Sequence, residues 1–157
     1  MTSKTQLQNK IRELEAELKT FKEQLNNYKE VTLETAVPGD TLEDGSIVLK
    51  KENGLALLVA PKSTEVECTW SKAFPEVFDK LKVEGFNPSQ WFVPTKEQLT
   101  LAYSSIRHHF SAASYWSSTE VNATSAGHVT YNIGVACGCS KAARCCVRAF
   151  RCVTYYT

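Results

Sequence analysis

The feature of this 157-residue chain that most restricts its folding is an apolar heptad repeat near the N-terminus. Apolar residues recur there at alternating spacings of four and three. Such a repeat places a narrow apolar stripe along an α-helix, which is typical of a coiled-coil seam rather than of a helix lying on a globular core. The residues of the stripe are Leu7, Ile11, Leu14, Leu18, Phe21, Leu25 and Tyr28.

The charged positions beside the stripe predict parallel helices. In a parallel bundle Lys10 would face Glu15 of the neighbouring copy. Glu17 would likewise face Lys22, so that both pairs attract. The mixed stripe is compatible with two or three strands, and its aromatic residues favour three because a trimer has the roomier core. We therefore predict a coiled-coil stalk over residues 1–32 that joins three copies into a homotrimer.

The rest of the chain, residues 33–157, is predicted to fold as one α+β head. Asn53-Gly54 stands between two β-type runs, and this dipeptide suits the tight turn of a hairpin over residues 46–60. Residues 71–84 place apolar side chains on one face of a helix. Thr95 is followed three residues later by Gln98, which is the pattern of a capping box at the start of a helix. A second helix is therefore predicted to start there.

The last third of the chain differs from the rest in composition. Tyr115-Trp116 and the run over residues 147–156 are strand-like, but small residues fill the stretch between them and bury little apolar surface. After Glu120 the sequence holds no acid, while four basic residues remain. The segment is therefore predicted to be a surface display between two rigid ends. Its charge gives a mild attraction for anionic partners and no nucleic-acid footprint.

Five of the six cysteines crowd into residues 137–152. Their spacing departs from that of zinc sites, and nothing in the sequence indicates an oxidising compartment. We therefore expect free thiols, with disulfides or a metal as less favoured alternatives, and no cofactor. The pair Cys145-Cys146 suggests a redox enzyme, but no His–Cys–carboxylate pattern accompanies it, so no enzyme is predicted. No apolar run is long enough for membrane insertion.

Four motifs together resemble one known family. They are PGDTLEDGSIVLKKENGLALLVAP, GFNPSQWFVPTKEQLTLAY, SYWSSTE and VRAFRCV, and they fall within residues 37–153. The combination resembles the family named after the C-terminal domain of a collagen-like bacterial adhesin (the Lcl C-terminal family), which occurs in bacterial surface and phage proteins. The resemblance implies a C-type-lectin-like head related to phage tropism determinants.

The resemblance also implies a diversified surface. Relatives from phages and gut bacteria often carry a stretch in which retroelements mutate adenines of chosen codons. Here the matching positions are 124, 125, 128, 130, 132 and 137–145 apart from Lys141, and their residues all fit codons randomised in the first two bases before a pyrimidine. On this hypothesis the cysteines arose by random mutation at these positions. Codons ending in A or G at the same positions would contradict it. Gly127 stands where relatives often carry Trp or Tyr, which weakens the case for an aromatic sugar platform.

The function implied by the resemblance is that of a bacteriophage virion fibre, in the head or the tail. Three heads on one stalk would bind a host cell-surface ligand, either carbohydrate or protein. The protein would be assembled in the host cytoplasm and lie on the virion surface, with other virion proteins holding the stalk. A purely structural virion decoration and a bacterial surface adhesin are the alternatives.

The predicted ligand contacts lie in the segment over residues 122–146, which is expected to consist of loops. Lys141 and Arg144 could meet anionic groups, whereas Arg148 and Arg151 are expected to make structural hydrogen bonds within the last strand. The predicted contact residues are Thr124, Ser125, His128, Thr130, Asn132, Cys137, Cys139, Ser140, Lys141 and Arg144.

Overall fold

The computed structural model describes residues 3–27 and 32–156, and contacts divide the chain into two compact units, Met1–Glu30 and Val31–Thr157. The described part of the first unit forms one helix, α1 (Lys4–Asn27). Ser3 Oγ accepts a hydrogen bond from the Gln6 backbone N–H at 3.2 Å, and the Gln6 side chain accepts one from the Ser3 N–H at 2.8 Å. This reciprocal cap satisfies two backbone donors that the first turn would otherwise leave unpaired, and so sets where the helix begins.

The apolar stripe of α1 lies open to solvent. Its six described members, from Leu7 to Leu25, are between 51% and 71% exposed. Tyr28, the seventh predicted member, lies outside the described residues. The predicted helix is confirmed, while its assembly with other copies stays a prediction. No helix in the described part of the chain has both the length and the apolar composition to cross a membrane.

The second unit combines helices and strands, which confirms the predicted α+β class. In chain order the elements are β1 (Ile47–Glu52), β2 (Leu55–Val59), β3 (Val66–Cys68), α2 (Trp70–Val83), α3 (Lys96–Ile106), β4 (Ser114–Glu120), β5 (Ser125–Thr130), β6 (Val135–Ser140), β7 (Cys145–Val147) and β8 (Phe150–Thr154). One antiparallel sheet has the strand order β1-β2-β8, and a second sheet has the order β3-β7-β4-β5-β6 with β4 and β7 parallel.

The elements with strong local signals form where the sequence predicts them. Asn53 and Gly54 join β1 to β2 with φ angles of 52° and 76°, in the left-handed region that the tight hairpin turn requires. The helix expected over residues 71–84 is α2. The second helix, α3, begins at a capping box in which Thr95 Oγ1 accepts from the Gln98 N–H at 3.2 Å and Gln98 Oε1 accepts from the Thr95 N–H at 2.9 Å.

The five-stranded sheet carries one helix on each face. Successive residues of a strand point to opposite faces, and in β4 Trp116 packs in a core with α2 while Tyr115 packs in another core with α3. The buried helix residues of these two cores are Ala73, Val77 and Leu81 from α2, and Leu99, Ala102 and Ile106 from α3.

The small-residue segment is not the run of loops that the sequence suggested. It forms β5, β6 and the start of β7, because β4 offers a strand against which small residues can pair and Ala126 and Val129 can be buried. The strand-like run over residues 147–156 is likewise not one strand. It divides after Val147, where the chain leaves the five-stranded sheet and enters the three-stranded one as β8.

Candidate functional site

The motif SYWSSTE forms β4, the rigid strand behind the exposed surface. The Trp116 indole N–H donates to the Cys68 carbonyl at 2.9 Å, and the Trp70 indole N–H donates to the Ser117 carbonyl at 2.8 Å. The Ser117 hydroxyl donates in turn to the Gly127 carbonyl on β5 at 2.6 Å. These bonds fix β4 to β3, α2 and β5, so the motif serves as scaffold.

A second anchor is Arg148, which lies almost fully buried between β7 and β8. Its Nε donates to the Ala60 carbonyl at 2.8 Å, Nη1 donates to the His109 carbonyl, and the guanidinium lies 4.7 Å from the Phe110 ring centroid. The expected structural hydrogen bonds are therefore confirmed for Arg148, but they reach other segments rather than the last strand. Arg151 instead lies over the Trp91 ring at 5.8 Å.

The strand β6 is the exposed edge of the five-stranded sheet. It pairs with β5 alone, and every one of its six residues is exposed or partly exposed. Its sequence, VACGCS, contains no charged residue and no proline, which are the usual devices that protect a sheet edge from pairing with another chain. The central residues of the inner strands β4 and β5 are buried. β6 is therefore the open strand of this sheet, and we term the exposed side chains of the β5–β6 hairpin the display surface.

Five predicted contact residues lie on or beside one face of β5–β6, which we term the pocket face. His128 and Cys137 are opposite each other on the two strands, with Cys137 Sγ 3.5 Å from His128 Nε2. Thr130 Oγ1 lies 3.2 Å from Ser114 Oγ on β4. The shallow pocket of about 380 Å³ on this face is lined by Glu67, Ala113, Ser114, His128, Cys139, Ala143, Arg144, Cys145 and Cys146.

The other predicted contact residues lie at the two ends of the β5–β6 hairpin. Thr124 and Lys141 meet at one end, where the Lys141 N–H donates to the Thr124 carbonyl at 2.9 Å. Ser125 and Ser140 are opposite each other at the same end. Asn132 is exposed in the turn at the far end of the hairpin. The structure therefore does not bring the ten predicted residues into one site.

The two cations predicted to meet anionic groups already face carboxylates. Lys141 Nζ lies 2.9 Å from Glu120 Oε1 and 4.7 Å from the Trp70 ring centroid. Arg144 Nε lies 3.7 Å from Glu67 Oε1, and its Nη2 donates to the Glu67 carbonyl oxygen at 2.8 Å. An anionic ligand would have to compete with both pairs, so anion recognition by these residues stays a prediction.

Burial controls the protonation of the site. It lowers the pKa of His128, with a hydrogen bond to the backbone of Cys137 acting in the opposite direction, so the imidazole is neutral at pH 7. Burial also raises the pKa of the Cys145 and Cys146 thiols, each to about 12, and both thiols are therefore protonated at neutral pH. The vicinal cysteines that suggested redox chemistry thus lack the thiolate that such chemistry requires.

All six cysteines are free thiols. Cys68 and Cys145 are buried directly opposite each other on β3 and β7, whereas Cys137 and Cys152 are exposed. Within residues 3–27 and 32–156, no three His, Cys, Asp or Glu side chains are arranged to hold a metal ion.

Six residues of the pocket are not among the predicted contacts, namely Glu67, Ala113, Ser114, Ala143, Cys145 and Cys146. Glu67, Ser114 and Cys146 line it beside the predicted His128 and Arg144. Glu67 is opposite Cys146 in the pairing of β3 with β7, two three-residue strands far apart in the chain. Strands this short have no readable alternation, so local sequence gives no signal for their pairing. Ser114 alone had a signal, because it opens the SYWSSTE motif.

A scan of family models and a comparison with curated proteins both find no match to this chain. The resemblance to the Lcl C-terminal family rests on the four motifs alone.

Proposed function

We propose that this chain is a trimeric display protein of a bacteriophage virion, a head or tail fibre, that binds a ligand on the host surface. In this proposal α1 joins three copies through a parallel coiled coil. Each C-type-lectin-like head presents the pocket face and the edge strand β6 to a carbohydrate or a surface protein. The assignment to a virion comes from the motif resemblance.

The observation that carries the proposal is the contrast between an inner strand and the edge strand of one sheet. Trp116 on β4 is fully buried and hydrogen-bonded, whereas the β6 residues are exposed or partly exposed. A six-residue edge strand without charge or proline can pair with other chains and so promote aggregation. Selection for stability alone would not be expected to keep such a strand exposed. A surface kept open for recognition accounts for that exposure.

The positions expected to vary fit this surface in most cases. Residues 137–144 form β6 and the turn after it, where side chains can change without disturbing the cores. Cys145 and His128 are the exceptions, because both are buried. Large residues at these two positions would disturb the scaffold, so we expect tolerated variation there to be restricted to small or flat side chains.

The exposed stripe of α1 supports the trimeric part of the proposal. Six apolar side chains on one helix, each about half exposed or more, lose that contact with water when parallel copies associate. A shallow pocket whose two charged residues, Glu67 and Arg144, already pair with each other favours weak contacts with any one ligand. Linking three heads on one stalk raises the overall affinity through effective concentration without any new contact.

The experiment compares two variants that place a bulky charge at an exposed strand cysteine. Cys137→Arg alters the edge strand of the display surface, and Cys152→Arg is the matched control on the other sheet. Fluorescently labelled full chain is applied to a panel of intact bacterial strains. The wild type and Cys152→Arg are expected to bind the same strains, and Cys137→Arg to bind at least about tenfold more weakly.

Two outcomes would contradict the proposal. Equal binding by both variants would show that the edge strand takes no part in recognition. Failure of the wild-type protein to bind any strain of a broad panel would favour a structural virion decoration without a ligand.

A further inference from the structure

The exposed Cys137 thiol is in contact with a buried imidazole. Its Sγ lies 3.5 Å from Nε2 and 3.9 Å from Nδ1 of His128, the residue directly opposite it on β5. The imidazole is held from its other side by Trp116, whose ring centroid lies 6.1 Å away in an edge-to-face arrangement. A thiol on an open edge strand therefore has both nitrogens of an imidazole within 3.9 Å, and one of the two is a proton acceptor when the ring is neutral.

The other cysteines lack this combination of access and acceptor. Cys68 and Cys145 are buried, and burial raises the pKa of their thiols to about 11 and about 12. Cys152 is as open as Cys137, but no imidazole contacts it in the described part of the chain. Cys152 is therefore a natural reference for the effect of the His128 contact.

The charges around the imidazole leave its role as acceptor intact. The ionic groups that line the adjoining pocket are Glu67 from β3 and Arg144 from the turn before β7, and they pair with each other at 3.7 Å. The titratable groups from β6 and β7 are the thiols of Cys139, Cys145 and Cys146. Because Glu67 and Arg144 pair with each other, the positive charge of Arg144 is offset and does not by itself oppose protonation of the His128 ring.

We propose that Cys137 and His128 form a reactive thiol–imidazole pair that exchanges with disulfides reaching the edge strand. His128 accepts the proton of the Cys137 thiol, and the resulting thiolate attacks one sulfur of the incoming disulfide. A mixed disulfide with Cys137 forms, the original S–S bond breaks, and the other half leaves as a thiolate that takes up a proton. The inference is independent of the proposed host attachment, because it concerns the chemistry of the isolated head.

The pair has a distinctive dependence on its imidazole. A neutral imidazole whose nitrogen lies 3.5 Å from Sγ can take up the thiol proton as the sulfur attacks, as a general base does. The reaction of Cys137 should therefore be faster than that of Cys152, and replacement of His128 should remove the difference.

The test follows the reaction of the full chain with dithiodipyridine, an aromatic disulfide whose released product absorbs light. One thiol equivalent is expected to react at least about tenfold faster than the next at pH 7. The fast phase should disappear in Cys137→Ser, remain in Cys152→Ser and slow about tenfold in His128→Gln.

A fast phase that remains in Cys137→Ser would overturn the proposal, as would the absence of a fast phase in the wild-type protein. An unchanged rate in folded His128→Gln would also exclude the imidazole as acceptor. If the His128→Gln head does not fold by circular dichroism, the rate of Cys137 in Cys152→Ser is compared with that of Cys152 in Cys137→Ser, and equal rates would overturn the proposal.

Discussion

At the scale of single residues, the head is held by buried polar groups that join distant parts of the chain. Tyr115 donates its hydroxyl hydrogen to Glu65 at 2.8 Å, and Glu65 lies 3.9 Å from Arg148. Burial, together with the charge of Glu65, raises the pKa of Tyr115 well above its usual range, so the tyrosine stays a neutral donor. Arg148 thus combines a charge partner with two carbonyl partners in a site closed to water.

Replacing Arg148 should therefore destabilise the head strongly. We expect Arg148→Met to lower the free energy of unfolding by about 3 kcal/mol, because the substitution leaves the Ala60 and His109 carbonyls without their donor and the Glu65 carboxylate without its charge partner. Arg151→Met, at a partly exposed position over Trp91, should cost less than about 1 kcal/mol. Urea unfolding of both variants measures the difference, and equal losses would contradict the role assigned to Arg148.

The sequence indicates that Arg148 has a structural role, but it does not indicate which groups the guanidinium binds. Its partners Ala60 and His109 are 88 and 39 residues away, and no local pattern links them. The same limit applies to His128 and Cys137, which were both proposed as ligand contacts for their variability. Only the strand register makes them a pair in contact.

At the scale of elements, the turn of the β5–β6 hairpin sets the position of the display surface against α3. Gly134 in this turn has a φ of +71°, and a Cβ built on it would lie 2.3 Å from the Tyr103 ring. The Tyr131 hydroxyl donates to the Leu99 carbonyl from the same turn. The hairpin can approach the helix this closely only because position 134 lacks a side chain.

We expect Gly134→Ala to lower the free energy of unfolding by about 2–3 kcal/mol, through left-handed strain and the collision with Tyr103. Gly85→Ala is the matched control, because Gly85 has a φ of +89° with nothing within 4 Å of the added Cβ. It should cost about 1 kcal/mol from backbone strain alone. Thermal or urea unfolding separates the two contributions, and equal costs would show that the approach of Tyr103 is unimportant.

Local signals predicted some elements and could not predict others. The β1–β2 hairpin and α3 form as expected because Asn53-Gly54 and Thr95 satisfy the backbone by themselves. Strands β5 and β6 have no comparable signal, since Ala, Gly, Ser and Cys have little preference and no clear alternation. They become strands through pairing with β4, an interaction between segments that only the folded chain brings together.

At the scale of the whole molecule, two units with different surfaces share one chain. The N-terminal unit leaves a row of apolar side chains exposed, whereas the head buries most of its apolar residues in three cores. Exposed apolar rows of this kind mark a surface for association. The heptad spacing was readable from the sequence because a helix repeat is local, but the number of copies depends on packing between chains.

The mass of the full chain in solution, measured by sedimentation equilibrium, tests most directly whether α1 builds a multivalent display. We predict a species of three times the 17.5 kDa chain mass at micromolar concentration, converted towards the single-chain mass by Leu18→Lys in the apolar stripe. Glu13→Lys, at an exposed position outside the stripe, should leave the trimer in place. A wild-type protein that sediments with the mass of one chain would contradict the trimeric display.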